Sequence, residues 1–151
     1  MQWRFPPVDL VDRWPKRLVT PDDAPDLGHL LWEAYRGTID DGGETIAEAH
    51  GEIQATFAGK YGRFLDASSF VIAEDGMLQA ASLVTLFDGE PLLAFSITHP
   101  RSQRRGMARD LIQASAKALR AGGYPLLRLV VTDGNAPAQR LYSGLGFLPY
   151  P

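Results

Sequence analysis

Four segments carry the spacing or the flanking residues of α-helices. In the first, Pro21 to Tyr35, apolar residues recur every three or four positions, and Thr20 is a suitable N-cap before a proline at the first helical position. A second helix is predicted from Glu44 to Phe57, and a third from Asp110 to Ala121, which ends at two glycines. The fourth begins at Ala136-Pro137.

Strand-forming segments alternate with turn residues through the middle of the chain. Ser69 to Ala73, Met77 to Phe87 and Glu90 to Thr98 are separated by Asp-Gly pairs, which favour tight hairpin turns. They therefore predict a three-stranded antiparallel meander. Leu126 to Val131 is almost entirely apolar, as is typical of a central strand covered on both faces, and Lys16 to Thr20 is a short strand candidate.

Composition restricts the chain to a few classes of protein. It has 151 residues, 45% hydrophobic and 22% charged, which predicts one globular domain. The formal charge of −3 argues against a nucleic-acid-binding protein. The chain has no cysteine, which excludes disulfides and cysteine-based zinc sites, and no metal site is predicted. No apolar run is long enough to span a membrane and the N-terminus lacks an apolar signal core, so we expect a cytoplasmic protein without a membrane partner.

A strand, a basic turn and a helix start follow one another between Pro91 and Asp110. Pro100 ends the strand, because proline cannot donate to a β-ladder and restricts the residue before it. The turn from Arg101 to Ala108 holds three arginines and Gly106, whose missing side chain lets a ligand approach the backbone. The first amides of the following helix have no internal partner, and the helix dipole favours an anion there. The stretch is suited to bind a phosphate group, although alone it also fits a solvated basic turn.

A second pattern, N-x-x-A-x-x-L-Y-x-x-x-G-F, runs from Asn135 to Phe147. With Gln103 to Ala108, which has the form Q/R-x-x-G-x-G/A, it resembles the two signatures of the GNAT superfamily of N-acetyltransferases. The resemblance covers residues 16 to 150. It implies an α/β (α+β) fold with a mixed, mostly antiparallel central sheet and helices on both faces.

The resemblance also implies that acetyl-CoA binds as a cosubstrate where the fourth and fifth strands separate. Free backbone groups near Ile97 and Thr98 would pair with the pantetheine arm, much as an added strand would. Asn135 would be a further contact, and the basic turn would bind the pyrophosphate. The residues implied in that turn are Gln103, Arg104, Arg105, Gly106, Met107 and Ala108.

Two catalytic residues are predicted. Tyr142 matches the family's tyrosine and would protonate the leaving thiolate or hydrogen-bond to it; the alternative is a core tyrosine with a satisfied hydroxyl. Histone-type members carry a glutamate at about the position of Leu92, and a leucine cannot accept a proton. Glu90, two residues earlier on the same face, is the predicted general base, with Glu33, Asp41 and bulk water as alternatives.

In this family the first two helices and their linker form the wall of the acceptor site. Glu33, Asp40 and Asp41 are the predicted substrate-binding residues, and with Glu44 they make this wall acidic; a solvated acidic loop is the alternative. We expect an enzyme that transfers an acetyl group directly from acetyl-CoA to a primary amine of a small molecule or peptide. A non-catalytic acyl-CoA-binding regulatory module of the same fold and an acyltransferase for longer chains are the alternatives.

Residues 1–15 are expected to be an extension packed on a single domain of residues 16–151. Family members usually continue through one more strand where only Leu148 to Pro151 remain here, and an uncovered sheet edge invites pairing with another chain. Trp3, Phe5 and Trp14 supply aromatic area that a free tail would expose to water. We expect the extension to cover the end of the sheet irregularly, because of its prolines, either in its own subunit or in the partner of a homodimer.

Overall fold

Seven strands form one sheet in the computed structural model, which describes residues 1–7, 10 and 13–150. The strands are β1 (Gln2–Arg4), β2 (Arg17–Leu18), β3 (Arg63–Phe64), β4 (Phe70–Glu74), β5 (Met77–Phe87), β6 (Glu90–Thr98) and β7 (Leu126–Arg128). The helices are α1 (Ala24–Tyr35), α2 (Ile46–Phe57), α3 (Met107–Ala121) and α4 (Ala136–Leu145). Neighbouring strands follow the order β1-β7-β6-β5-β4-β2, and β3 pairs with β5. Among these described strands only β6 and β7 are parallel, so the predicted mixed, mostly antiparallel sheet is confirmed.

Helices cover both faces of the sheet, as predicted. α1 and α2 pack on the face that carries Leu83 and Phe95, and α3 packs on the face that carries Val84 and Leu93. Leu83 pairs with Phe95 and Val84 with Leu93, so Ala94 is an extra residue of β6, a β-bulge. Because side chains of a strand alternate between faces, the extra residue shifts the alternation and sends Leu93 and Phe95 to opposite sides.

The predicted meander of β4, β5 and β6 is confirmed together with its two tight turns. Asp75 and Gly76 have φ angles of 53° and 76°, and Asp88 and Gly89 have φ angles of 50° and 79°. Positive φ at both central residues is the geometry of a type I′ turn, whose twist matches that of the paired strands. The Asp-Gly pairs therefore set the register next to each turn, and β-bulges shift it farther along both strand pairs.

The predicted starts of α1 and α3 each differ from the structure by three residues. Pro21–Asp23 form a 3₁₀ turn, and α1 begins after it at Ala24. Thr45 caps α2: its hydroxyl accepts the amide of Glu48 at 3.1 Å, and the Glu48 carboxylate accepts the amide of Thr45 at 3.1 Å. α3 begins at Met107 and not at Asp110, because Gly106 adopts a left-handed φ of 80° and ends the loop directly before it. No helix in the described ranges is both long and apolar enough to cross a membrane.

β7 is shorter than the predicted strand from Leu126 to Val131. Within the described residues, Leu92 and Arg128 are the one pair between β6 and β7. Beyond that pair the two segments separate, and Val130 is 88% exposed. The apolar run that predicted a covered strand thus continues along the wall of an open cleft.

The N-terminal segment lies at the edge of the sheet as a strand of the same chain. Residues 2–4 pair antiparallel with β7, and Gln2 exchanges two main-chain hydrogen bonds with Leu148, each of 2.8 Å. The expectation of an irregular cover is wrong for these residues, because Pro6 and Pro7 lie beyond the paired stretch. Trp3 packs against Phe147 with ring centroids 5.5 Å apart.

Candidate active site

Two cavities open on the side of the sheet where β6 and β7 separate. The first, here called the long cleft, has a volume of about 900 Å³ and lies between β6, the segment after β7, and the starts of α3 and α4. The second, here called the acidic cavity, has a volume of about 760 Å³ and lies between α1, α2 and the middle of β6. Volumes of this size are typical of small-molecule sites.

The turn before α3 forms one end of the long cleft. Arg104 and Gly106 both have left-handed φ angles, of 65° and 80°. Where residues with a left-handed backbone alternate with residues with a right-handed backbone, successive main-chain amides point to the same side and form a concave anion site. Gly106 is the N-cap of α3, and no side chain accepts a hydrogen bond from the first amides of this 15-residue helix. These amides are therefore available to an anion, beside the side chains of Arg104 and Arg109.

Eight of the nine residues predicted to contact the cosubstrate line the cleft, and Arg105 does not. These eight are Ile97, Thr98, Gln103, Arg104, Gly106, Met107, Ala108 and Asn135. The Arg105 guanidinium points the other way, donating to Glu74 at 2.7 and 3.0 Å. This hydrogen bond lowers the pKa of the Glu74 carboxyl. The charge of the Arg105 side chain is therefore already paired on the outer side of the turn, and the contact of its main-chain amide with the pyrophosphate stays a prediction.

β6 forms the long wall of the cleft. Past Leu92 its edge has no β7 partner among the described residues, so main-chain groups there face the cleft. Ile97 lines this wall although the residue is only 2% exposed. At the far end His99 accepts the amide of Arg101 on its Nδ1 at 3.1 Å and so starts the turn.

Carboxylates dominate the polar lining of the acidic cavity. Five of them line it, against two cationic side chains, Arg36 and Lys60. The carboxylates are Asp40, Asp41, Glu44, Glu48 and Glu52. Aromatic rings of Trp32, Tyr35, Tyr61 and Phe95 supply the apolar part of the wall.

Several of these carboxylates are fixed by local hydrogen bonds. Asp41 accepts the amides of Gly37 and Gly43, each at 2.8 Å, and these bonds lower the pKa of its carboxyl. Glu52 accepts Lys60 at 2.8 Å and also the hydroxyl of Tyr61. Burial of Glu52 acts to raise its pKa, but the bonds from Lys60 and Tyr61 together lower it. The carboxyls of Asp41 and Glu52 are therefore ionised at neutral pH.

The two cavities meet at a junction. The residues that line both are Tyr35, Asp40, Leu93, Ala94 and Val130. Ala94 is the bulge residue of β6 and has no register partner on β5. Bulges often occur beside active sites, since the extra residue redirects side chains and leaves main-chain groups unpaired.

Two tyrosine side chains approach the junction. Tyr142 lines the long cleft, and burial raises the pKa of its hydroxyl, while a hydrogen bond with Ser96 acts in the opposite direction. Burial also raises the pKa of Tyr35, and the neighbouring Asp40 and Tyr142 raise it further. Both hydroxyls are therefore protonated at neutral pH and can donate hydrogen bonds.

Asp40 joins the two sides of the junction. Its carboxylate accepts the hydroxyl of Thr132 at 2.5 Å and the side-chain amide of Asn135 at 3.4 Å. Asn135 also caps α4, with its Oδ1 accepting the amide of Ala138 at 3.3 Å. The family-signature asparagine is thus engaged with the helix and with the α1–α2 loop.

Glu90 and Glu33 lie outside both cavities. Glu90 stands at the start of β6 and forms an ion pair with Arg128. Glu33 is 3.6 Å from His29 and 3.6 Å from Arg36 on the surface of α1. The prediction of Glu90 as general base and of Glu33 as a substrate contact is corrected on this geometry, because neither side chain faces the space where an amine would lie.

Sequence reasoning missed Tyr35, Ser96, Glu52 and Tyr61. Tyr35 was recognisable, because it lies four residues after the inward-facing Leu31 and so puts a polar tip on the buried side of α1. The Tyr61–Glu52 contact joins residues nine apart across the end of α2, which no helical spacing predicts.

A sequence profile described as the acetyltransferase (GNAT) family matches residues 24–147, which include both cavities. The chain belongs to the GNAT acetyltransferase family. This confirms the resemblance that the segments Gln103 to Ala108 and Asn135 to Phe147 indicated. Among curated protein sequences none matches this GNAT chain.

Solved GNAT structures share the fold. The ribosomal-protein-S18-alanine N-acetyltransferase from Escherichia coli is 25% identical with a TM-score of 0.70, covering 91% of this chain and 79% of the other. A GNAT family acetyltransferase from Brucella melitensis, solved with acetyl-CoA, is 21% identical with a TM-score of 0.68, covering 93% and 86%. The aminoglycoside 6′-N-acetyltransferase from Acinetobacter haemolyticus is 14% identical with a TM-score of 0.68, covering 91% and 92%. Family and fold support acyl transfer from acetyl-CoA in general.

Proposed function

We propose that this GNAT protein is an N-acetyltransferase that transfers an acetyl group directly from acetyl-CoA to a primary amine of a small molecule or a peptide. The observation that carries the proposal is the junction, where a cleft ending in an anion-binding turn meets a cavity lined by carboxylates. An acyl donor with an anionic tail and a cationic acceptor would reach the junction from opposite sides. Such an arrangement favours direct transfer, since it holds both reactants side by side.

The long cleft fits acetyl-CoA in charge and in hydrogen-bonding capacity. The turn from Arg104 to Ala108 offers main-chain amides and a positive helix end to the pyrophosphate. The unpaired edge of β6 offers main-chain groups to the pantetheine amides. When bound, acetyl-CoA supplies the activated acetyl thioester.

Tyr142 is proposed as the general acid. Its hydroxyl keeps its proton at neutral pH, because burial raises its pKa. It lies in the same cleft wall as Ser96, close to the junction, where it can give a proton or a hydrogen bond to the leaving sulfur. Ala94, the bulge residue that lines both cavities, is proposed to offer its main-chain amide to the charge that develops on the carbonyl oxygen.

Asp40 is proposed to orient the amine and to accept its proton, directly or through a water. Within the described residues it is the one carboxylate that lines both cavities. Hydrogen bonds from Thr132 and Asn135 hold it in place. This assignment replaces Glu90, and it leaves Asp41 and bulk water as the other acceptors of the proton.

The acceptor is proposed to be a cationic amine. The acidic cavity holds five carboxylates and two cationic groups, which favours a positively charged ligand and disfavours an anionic one. The names of two structural neighbours refer to a protein alanine and to an aminoglycoside, both of which carry amines. A peptide N-terminus and an amino sugar are therefore the first acceptors to try.

The test is thiol release from acetyl-CoA with a panel of cationic, neutral and anionic amines, alongside calorimetric binding of CoA. We expect turnover with at least one cationic amine and none with the anionic members. Binding of CoA without turnover across the panel would favour the non-catalytic module, which the leucine at position 92 makes a definite alternative. Comparing acetyl-CoA with longer acyl-CoA donors decides whether the acyl group is acetyl.

A further inference from the structure

Residues 13–16, here called the strap, cross the outer side of the turn that precedes α3. The indole Nε1 of Trp14 donates to the main-chain oxygen of Arg105 at 3.2 Å. The Arg105 guanidinium lies 4.9 Å from the centre of the Trp14 ring and is held at its other end by Glu74. The strap therefore contacts both the backbone and the side chain of a turn residue whose charge faces away from the cleft.

A buried ion pair fixes the strap to α3. Asp110, in the first turn of the helix, accepts the amides of Arg13 and Trp14, the latter at 2.9 Å. It also pairs with Lys16 at 2.7 Å, and the two side chains are only 8% and 7% exposed. Breaking one partner of such a pair leaves a charge buried without compensation, so the attachment is strong.

The Trp14 ring also attaches the strap to the core of the protein. It packs against a small core cluster of four buried residues, Ile72, Ala80, Met107 and Leu111. Met107 is the first residue of α3 and also lines the long cleft. Trp14 itself does not line the cleft, so any effect on a ligand has to pass through Arg105 and Met107.

The turn needs such support because its backbone is unfavourable in isolation. Arg104 adopts a left-handed φ of 65°, which is costly for a residue with a Cβ. Conformations of this kind persist where the surroundings enforce them. Arg104 is itself exposed, and the strap contacts the residues on its C-terminal side, Arg105 through a hydrogen bond and Met107 through packing of the Trp14 ring.

We propose that the strap holds the turn in its anion-binding conformation, with Trp14 as a positioning residue for the diphosphate end of the acyl donor. This inference rests on the proposed function, since it assigns that donor to the long cleft. Residues of the N-terminal extension thereby serve the cosubstrate site without touching the cosubstrate. Arg105, displaced from the ligand, acts as the link between the strap and the turn.

The test compares Trp14→Phe, which keeps an aromatic ring and loses the indole donor, with Trp14→Leu, which loses both contacts. From the usual strengths of a hydrogen bond and a cation–π contact, we expect the Kd for CoA to rise about threefold in Trp14→Phe and about tenfold in Trp14→Leu. The KM for acetyl-CoA should rise in parallel, and kcat at saturation should stay within about twofold of the parent value. With S-acetylpantetheine, a donor without the diphosphate, kcat/KM should stay unchanged.

Trp3→Phe is the matched control, because Trp3 packs in the other core cluster and does not contact the turn. It should leave the Kd for CoA unchanged. Parental affinity in both Trp14 variants would overturn the proposal. So would equal losses with acetyl-CoA and S-acetylpantetheine, since these would indicate general damage to the protein.

Amide hydrogen exchange on the unliganded protein separates this inference from the proposed function. We expect the amide of Asp110, which donates to the main-chain oxygen of Gly106 at 3.0 Å, to exchange faster in Trp14→Leu than in the parent, with α1 and α2 unchanged. If the parent bound no CoA, the proposed function would be wrong, and this exchange measurement would still decide the role of the strap. Unchanged exchange at Asp110 would overturn it.

Discussion

The long cleft and the acidic cavity are built from different chemical groups. In the cleft, main-chain amides of the turn and the unpaired edge of β6 supply most of the hydrogen-bonding capacity. In the acidic cavity, side chains supply it, with five carboxylates and four aromatic rings drawn from α1, α2, the connecting loops and β6. A backbone site depends on conformation and tolerates changes of side chain. A side-chain site changes its ligand preference with each substitution.

This difference suits a family in which one reactant is constant and the other varies. A site made of main-chain groups keeps its specificity as long as its turn and bulge persist, here at Gly106 and Ala94. The acidic cavity has no comparable constraint, because Glu44 and Glu48 lie on an exposed loop and helix start. Side-chain substitutions should therefore change the ligand preference of the acidic cavity more than that of the long cleft.

The largest effect is expected at Tyr142, where the two sites meet. Tyr142→Phe keeps the ring contact with Phe147, whose centroid lies 5.7 Å away, and removes only the hydroxyl. If that hydroxyl is the general acid, kcat should fall by roughly 10²–10⁴ while the Kd for CoA stays the same. Steady-state rates and calorimetry measure the two quantities. Tyr124→Phe is the control, because Tyr124 packs against the same core cluster as Tyr142 and lines neither cavity. Full activity of Tyr142→Phe would show that Tyr142 serves only in packing.

The next effect is expected at Asp40. Asp40→Asn keeps the size of the side chain and removes the charge that faces the amine, so kcat/KM for a cationic amine should fall by about 10- to 100-fold, as for a lost charged hydrogen bond. The Kd for CoA should change little. Glu33→Gln is the matched control, since Glu33 lies outside both cavities, and it should stay near the parent rate. Equal losses in the two variants would argue against Asp40 as the residue that receives the amine.

How far the sequence predicts each site follows from the same contrast. The turn from Arg101 to Ala108 is continuous in sequence, so its proline, arginines and glycine indicated an anion site directly. The direction of Arg105 did not follow, because its partners Glu74 and Trp14 are 31 and 91 residues away. The meander was readable from its two Asp-Gly turns, whereas the short strand β1 depends on partners more than a hundred residues distant.

The acidic cavity was only partly predictable. Asp40 and Asp41 belong to the α1–α2 linker, which forms this wall in the family, and both line the cavity. Strand alternation predicts the face on which Glu90 lies, but it does not predict where along β6 the two cavities meet. Its pairing with Arg128 fixes it at the far end of β6, away from the junction.

A smaller effect is expected at the cosubstrate turn. Arg104→Glu reverses one charge in the long cleft and should raise the Kd for CoA about tenfold, while the melting temperature stays the same, because Arg104 is exposed. Raising the salt concentration should reduce the difference. Arg101→Glu, in the same turn but outside the cleft lining, is the control and should have a much smaller effect. If both reversals weakened binding equally, the general field of the turn, and not a contact of Arg104, would be responsible.

The smallest effect is expected at Glu52, in the wall of the acidic cavity. Its folded-state pKa is lowered by the bonds from Lys60 and Tyr61, which outweigh burial, so it stabilises the fold above its unfolded pKa of about 4.3 and loses that contribution as the pH falls through the folded value. Glu52→Gln should lower the melting temperature by about 2 °C at pH 7 and by less at pH 3. Melting curves at several pH values test this, and a double-mutant cycle with Tyr61→Phe isolates the pair. An equal decrease in melting temperature at both pH values would mean that Glu52 stabilises the fold through packing. The wall of the cavity would then depend less on its ionised carboxylates than their number suggests.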